Sequence, residues 1–154
     1  MKGECIMKII LLLVTLTFLS APLFAENSKT ENGYEVHYNA FSTDFLTPKV
    51  AKQYNIGRSR TKGMINIAVR KLHKGDTSTS AAVTARIDLK IQNLYGQQKE
   101  VTLRKISENN DEAIYYIGTF SVSSRETLNF KASVTPNGER NPIEIKFSQE
   151  FFTD

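Results

Sequence analysis

The chain has 154 residues, a formal net charge of +4 and one cysteine. That length gives a single domain room to bury a core, and one cysteine excludes an internal disulfide framework. The overall charge is ordinary, so any electrostatic role must come from how the cations are distributed.

Residues 1–25 read as an export signal. Lys2 and Lys8 give a basic start, partly offset by Glu4; Ile9–Leu19 is an uncharged, mostly apolar run, and "SAPLFA" ends on Ala25, a small residue suited to cleavage. A retained membrane anchor is the rival reading. It needs roughly 20 apolar residues, whereas this run has 11 and is followed by Ser20 and Pro22. Met7 offers a second, more ordinary start. Cys5 precedes the apolar run, where a lipidated cysteine would follow it. Cleavage after Ala25 leaves 129 residues without cysteine and without a further stretch fit to cross a membrane. The expected location is the periplasm.

Residues 26–33, "ENSKTENG", are polar and aperiodic and read as a flexible leader before a domain spanning 34–154. Alternation, the mark of strands whose successive side chains point to opposite faces, then dominates. It aligns Tyr34, Val36, Tyr38 and Ala40; then Ile65, Ile67 and Val69; then Val83, Ala85, Ile87, Leu89 and Ile91. "KEVTLRKI" is a weaker case. Ile114, Tyr116, Phe120 and Val122 follow, then Leu128, Phe130, Ala132 and Val134, then Ile143, Ile145, Phe147 and Phe151. The turn signals "HKGD", "LYGQ", "ENND", "SSRE" and "TPNG" separate most of these runs. About seven strands, each with one apolar face, predict an all-β, two-layer antiparallel sandwich of immunoglobulin-like type. The Cys-Trp-Cys core of true immunoglobulin domains is absent, and a barrel is the alternative.

One segment departs from the pattern. Thr47 suits a helix N-cap, Pro48 the first helical position, and Asn55 or Gly57 a left-handed close. Pro48–Tyr54 is therefore predicted to be a short helix between the first two strands. It is too short to stand alone, so Phe45, Leu46, Val50 and Tyr54 are expected to hold it on the sandwich.

The same region carries the cations. Phe45 to Gly75 holds eight Lys and Arg and no Asp or Glu, so these 31 residues carry +8 while the rest of the processed chain sums to −5. Lys49, Lys52, Arg58, Arg60, Lys62 and Arg70 are the candidate site. If the strand runs back to Arg58, the even-numbered Arg58, Arg60, Lys62 and Arg70 share its wet side, opposite Ile65, Ile67 and Val69. Two readings follow. The cations guard an edge strand against aggregation, with Glu139 or Glu144 neutralising some of them, or they bind an anionic envelope component or an acidic protein.

No catalytic, cofactor or metal motif accompanies them. His37 and His73 lack ligand-spaced partners, and nucleophile-elbow, P-loop and dinucleotide-binding patterns are missing. "SENNDE", with Glu108, Asp111 and Glu112, lacks the spacing of a strong calcium loop and reads as a hairpin turn. Nucleic acid is a poor partner, since Tyr54 is the one aromatic residue available for stacking among the basic ones. Tyr115 and Ile117 read as packing rather than as an exposed patch. The expected function is a non-enzymatic binding or accessory module. The alternatives are an assembly or chaperone-like factor that adds a strand to a client and, less favoured, a small hydrolase.

His37–Val69, Tyr115–Gly138 and "KFSQEFFTD" at Lys146–Asp154 resemble a bacterial family known as domain of unknown function 4426. The most specific piece is Phe45-Leu46-Thr47-Pro48, then Val50-Ala51, Tyr54 and Arg58-Ser59. The resemblance implies a small exported protein with an immunoglobulin-like sandwich, and it transfers no functional residue.

Overall fold

The computed structural model describes residues 27–73 and 76–154. The export signal read in residues 1–25 lies outside them, as does Lys74. Most of the apolar alternation lies in strands. The strands are β1 (Asn27–Glu31), β2 (Tyr34–Ser42), β3 (Lys62–His73), β4 (Asp76–Ala82), β5 (Ala85–Asn93), β6 (Gln98–Lys99), β7 (Arg104–Glu108), β8 (Ala113–Ser121), β9 (Glu126–Pro136) and β10 (Ile143–Phe151). A 3-10 turn (Thr43–Phe45) and helix α1 (Pro48–Gln53) lie between β2 and β3.

Two antiparallel sheets result. The six-stranded sheet runs β1-β2-β3-β8-β7, with β4 beside the far half of β3, and the four-stranded sheet runs β10-β9-β5-β6. One side of β3 pairs with β2, while the other gives Lys62–Ala68 to β8 and Arg70–His73 to β4. The inward faces are the ones the alternation predicts. Val36, Ile65, Ile67 and Val69 from one sheet meet Leu128, Phe130, Val134, Ile143 and Ile145 from the other, all buried. Ile87 and Leu89 are partly buried against the same cluster.

Several expectations need correction. Residues 27–31 are a strand, not a leader: β1 pairs with β2 through Asn32-Gly33, both at positive φ, as a two-residue hairpin turn requires. Its polar side chains hid it, because an edge strand with mostly exposed residues has no apolar face to alternate. β4, "DTSTSAA", escaped notice for the same compositional reason. "KEVTLRKI" is not one strand. The chain leaves β6, crosses between the sheets with Val101 and Leu103 packed against the core, and re-enters pairing as β7. Finally, β3 is a central strand, so its cations guard no edge.

Two glycines sit where a neighbouring side chain leaves no room for a Cβ. A Cβ on Gly63 would fall 2.3 Å from the buried Phe120 ring, and one on Gly118 would fall 2.6 Å from Val101 Cγ2. Phe120 has little room to yield, since it packs edge-on against Phe130 and Phe151.

At the end of the sandwich where β5 stops, a partly buried ion pair joins two turns. Lys99 Nζ lies 2.7 Å from Glu126 Oε1, and Glu126 also accepts from the Ser123 N–H at 2.9 Å. Asn93 Oδ1 accepts from the N–H groups of Tyr95 and Gln97. Burial pushes the Glu126 carboxyl up, but the bonds and charge from Lys99 and the Ser123 N–H outweigh it, so its pKa is lowered from 4.5.

Gly63→Ala is expected to destabilise the protein by about 1–3 kcal/mol through forced repacking of Phe120, read as a lower denaturant midpoint with an unchanged slope. Because the Glu126 pKa is lower in the folded chain, its contribution is full above the ordinary carboxylate range and fades as pH falls through the folded value. The stability gap between the protein and Glu126→Gln should therefore be widest above the ordinary carboxylate range and close as the pH falls below it. A constant gap across a pH series of melting curves would contradict this assignment.

Candidate functional site

The outward faces of the two sheets differ. That of the four-stranded sheet is wet, with Arg86, Asp88, Lys90, Lys131, Glu144 and Lys146 exposed. That of the six-stranded sheet carries a second apolar cluster: Ile56, Met64 and Ile117 are buried, with Phe41, Leu46, Tyr54, Ile106 and Tyr115 packed around them. Met64 lies on the same even-numbered face of β3 as Lys62 and Arg70, and α1 and its flanking loops cover it. Tyr115 and Ile117 pack as expected.

The helix that covers this face is capped at both ends by the residues its sequence proposes. Thr47 Oγ1 accepts from the Val50 N–H at 3.3 Å, and Pro48 opens the helix. Asn55 adopts φ 52°, with its N–H donating to Lys52 O at 3.2 Å and the Ile56 N–H donating to Ala51 O at 2.8 Å. This is a Schellman close, with buried Ile56 as its apolar contact. Leu46 and Tyr54 seat the helix on the sheet face, while Phe45 points to solvent, 70% exposed.

Between α1 and the sheet is a cavity of about 200 Å³, floored by Met64, Tyr115 and Ile117 and rimmed by Tyr54, Asn66 and Glu108. The Tyr54 phenol donates to the Glu108 carboxylate, and Gln53 Nε2 donates to the same oxygen at 3.4 Å. That bond, with burial and the Glu108 charge, pushes the Tyr54 pKa up to about 12. Asn66 and its cross-strand neighbour Asn39 each hold a buried Oδ1 that accepts no hydrogen bond among the described residues. Arg104, on β7, donates to Tyr54 O at 2.5 Å. Arg104, Asn66 and Glu108 were not in the sequence-derived site. They come from two strands, Asn66 from β3 and Arg104 and Glu108 from β7, which β8 joins, and only the pairing register brings them to α1.

The predicted cations divide into three groups. Lys49 and Lys52 stand exposed on α1. Arg58, Arg60 and Lys62 do not share a strand face, because β3 begins at Lys62 and residues 58–61 form a loop. Thr43 fixes that loop: fully buried, its hydroxyl lies 2.9 Å from Gly57 O and accepts from the Ser59 N–H at 2.9 Å. Asp44, just outside the acid-free stretch, engages both arginines. Arg58 donates to its carbonyl at 2.8 Å, and Arg60 Nε lies 3.8 Å from its carboxylate. Arg70 is apart from the others and clamps β4, donating to Ser80 Oγ at 2.6 Å and Ser80 O at 2.7 Å. Glu139 and Glu144 neutralise none of these residues; they accept from Tyr34 and Ser133. Among the described residues, Lys49, Lys52 and Lys62 form no ion pair.

A family model described as domain of unknown function (DUF4426) matches residues 28–154. Among solved structures, the chain is similar to a DUF4426 family protein from Pseudomonas aeruginosa PAO1, at 32% identity and TM-score 0.67, covering 84% of this chain and 96% of that one. It is also similar to FetP of uropathogenic Escherichia coli strain F11, at 8% identity and TM-score 0.55, covering 82% of this chain and 93% of that one. A copper-bound variant of FetP aligns at 9% identity and TM-score 0.55, covering 84% and 97%. At such identities the two FetP structures share the fold alone. No curated protein matches the chain.

Tyr54→Phe is expected to loosen α1, exposing its amides to exchange about 5- to 10-fold faster through loss of one charge-assisted bond. The Tyr54 pKa is higher in the folded chain, so this contribution is full below about pH 10 and is lost as pH rises through about 12. Hydrogen exchange of Lys49–Tyr54 in the two proteins measures the effect, and equal rates would rule out the anchor.

Proposed function

We propose, on the premise that this chain belongs to the DUF4426 family, that it is an exported, non-enzymatic binding module that engages an anionic partner of the cell envelope. Its cations are Lys49 and Lys52 on α1, Arg58 and Arg60 in the loop before β3, and Lys62 at the strand's start. One observation carries this reading: Lys49 and Lys52 on α1, which the chain caps at both ends, and Lys62 at the start of β3 are exposed and, among the described residues, without ionic partners. Arg70 is better described as the clamp on β4.

Export is supported by the basic start and short apolar run of residues 1–25. FetP, whose fold this chain shares, was expressed in the periplasm. A non-enzymatic role is supported by the cavity beneath α1. Its titratable pair is a phenol held protonated by a carboxylate, and a pKa pushed up to about 12 is the wrong direction for a base or nucleophile at neutral pH. The copper of the FetP variant belongs to that protein. Among the described residues here, no three His, Cys, Asp or Glu side chains converge to hold a metal. Strand addition at a sheet edge has less support. The β6 and β7 edges are short, and Lys29 Nζ, at 2.9 Å from Glu144 O, occupies a backbone acceptor of β10.

Reversing Lys49, Lys52 and Lys62 to Glu tests the reading. Each cation near an anionic surface contributes roughly 1 kcal/mol, so the triple variant should bind its partner about 100-fold or more weakly. The melting temperature should stay within about 3 °C. Co-purification from the envelope at low and high salt supplies the readout, and capture that ignores both salt and the substitutions would refute the proposal.

A further inference from the structure

Resting on the anionic-partner reading, we infer that the partner is an anionic phospholipid bilayer, met end-on by the loops at one pole of the sandwich. Four large apolar side chains are exposed among the described residues: Phe45, Leu94, Tyr95 and Phe152, with Tyr95 at 91%. They lie far apart in sequence, yet the strand registers gather them at one pole. Phe45 closes the turn that follows β2, whose last residue Ser42 pairs with Gly63 near the start of β3. Leu94 and Tyr95 follow β5, whose last residue Asn93 pairs with Leu128 near the start of β9. Phe152 follows β10, whose last residue Phe151 pairs with Glu126. The turn from β8 to β9 joins the sheets at this pole, and the Val122 N–H donates to Thr61 O at 3.0 Å.

The opposite pole is made of Asn32-Gly33, Asn109–Glu112 and Asn137–Pro142, and among the described residues it exposes no large apolar side chain. The apolar character is therefore polar in the geometric sense, confined to one end of the molecule.

The loops that carry these side chains are tied to one another. Lys99, Asn93 and Glu126 join the Leu94–Tyr95 turn to the β8–β9 turn. Ser124 donates to Asp154 beyond Phe152. Thr43 and Asp44 hold the Arg58–Arg60 loop beside Phe45. Such a frame presents isolated apolar tips at fixed positions. Two concavities, the one beneath α1 and a shallow one lined by Thr84, Arg86, Pro136 and Glu139, include none of the four. A folded protein partner would need a shaped surface, whereas a fluid bilayer accepts separate tips, with Tyr at the headgroup level and Leu and Phe just below it.

Charge gives the pole its choice of lipid. Arg58, Arg60 and Lys62 flank it on the six-stranded side, and Arg125 stands in the β8–β9 turn. Of the nearby acids, the Asp44 carboxylate lies 3.8 Å from Arg60, Glu126 is paired with Lys99, Asp154 accepts from Ser124, and Glu150 belongs to β10 of the four-stranded sheet. The positive flank thus continues into Lys49 and Lys52 of α1.

The absence of tryptophan makes the test direct. Tyr95→Trp and Asn141→Trp, expressed from the full-length sequence, place one fluorophore at each pole. With phosphatidylglycerol-containing vesicles, Tyr95→Trp should shift to the blue and Asn141→Trp should not, while neutral phosphatidylcholine vesicles should leave both unchanged. Leu94→Ser combined with Tyr95→Ser should weaken co-sedimentation about tenfold or more, without moving the melting temperature, since both side chains are exposed. Blue shifts at both poles, or binding indifferent to the double substitution, would overturn end-on docking. No vesicle binding alongside salt-sensitive capture of an envelope protein would overturn the bilayer proposal and leave the anionic-partner reading standing. Loss of both would end both.

Discussion

The sandwich depends on an aromatic seam between its layers. Phe147 on β10 stacks on Phe130 on β9, with centroids 4.5 Å apart and planes 7° from parallel, and meets Tyr38 of the opposite sheet at 4.9 Å. Phe120 crosses back from the six-stranded sheet to contact Phe130 and Phe151 edge-on. Rings bury much apolar area and interact beyond that area when offset or edge-on. Among the described residues there is no cysteine to cross-link the layers, so packing of this kind holds them together. It also explains why Gly63 and Gly118 carry no Cβ: each sits where a ring or a crossing segment approaches the backbone too closely for one.

Once the layers are locked, the surfaces become unequal. The four-stranded sheet turns charges outward, as a half-wet antiparallel sheet does. The six-stranded sheet keeps a second apolar cluster on its outer face, and α1 is bound there because six residues of helix gain little from their own hydrogen bonds. The cations on this helix are therefore held by tertiary contacts of Leu46, Tyr54 and Ile56 beneath them. The same asymmetry holds along the long axis, where a hydrogen-bonded frame at one pole displays apolar tips and the other pole displays turns of Asn, Gly and acids.

The likeness to FetP extends over most of both chains at 8% identity. It illustrates how far a two-layer β architecture constrains sequence: to the alternation of buried positions, and to little else. Function in such folds resides in what is mounted on the outer faces and loop ends.

Alternation alone determined the inward faces of β2, β3, β5, β8, β9 and β10, because a period of two leaves each apolar side chain one possible side. The caps of α1 were equally legible, since Thr47, Pro48 and Asn55 act within a single turn of their own backbone. Other features required the folded chain. Polar β1 and β4 become strands only because β2 and β3 offer them hydrogen-bonding edges. The Asp44 carboxylate meets Arg60 because a loop folds back, and Asn66 and Glu108 line one cavity because β3, β8 and β7 pair in a particular register. Local chemistry is written along the chain, but the meeting of residues dozens of positions apart is decided by which strands become neighbours. That choice depends on burying one shared core, and no short stretch of sequence contains it.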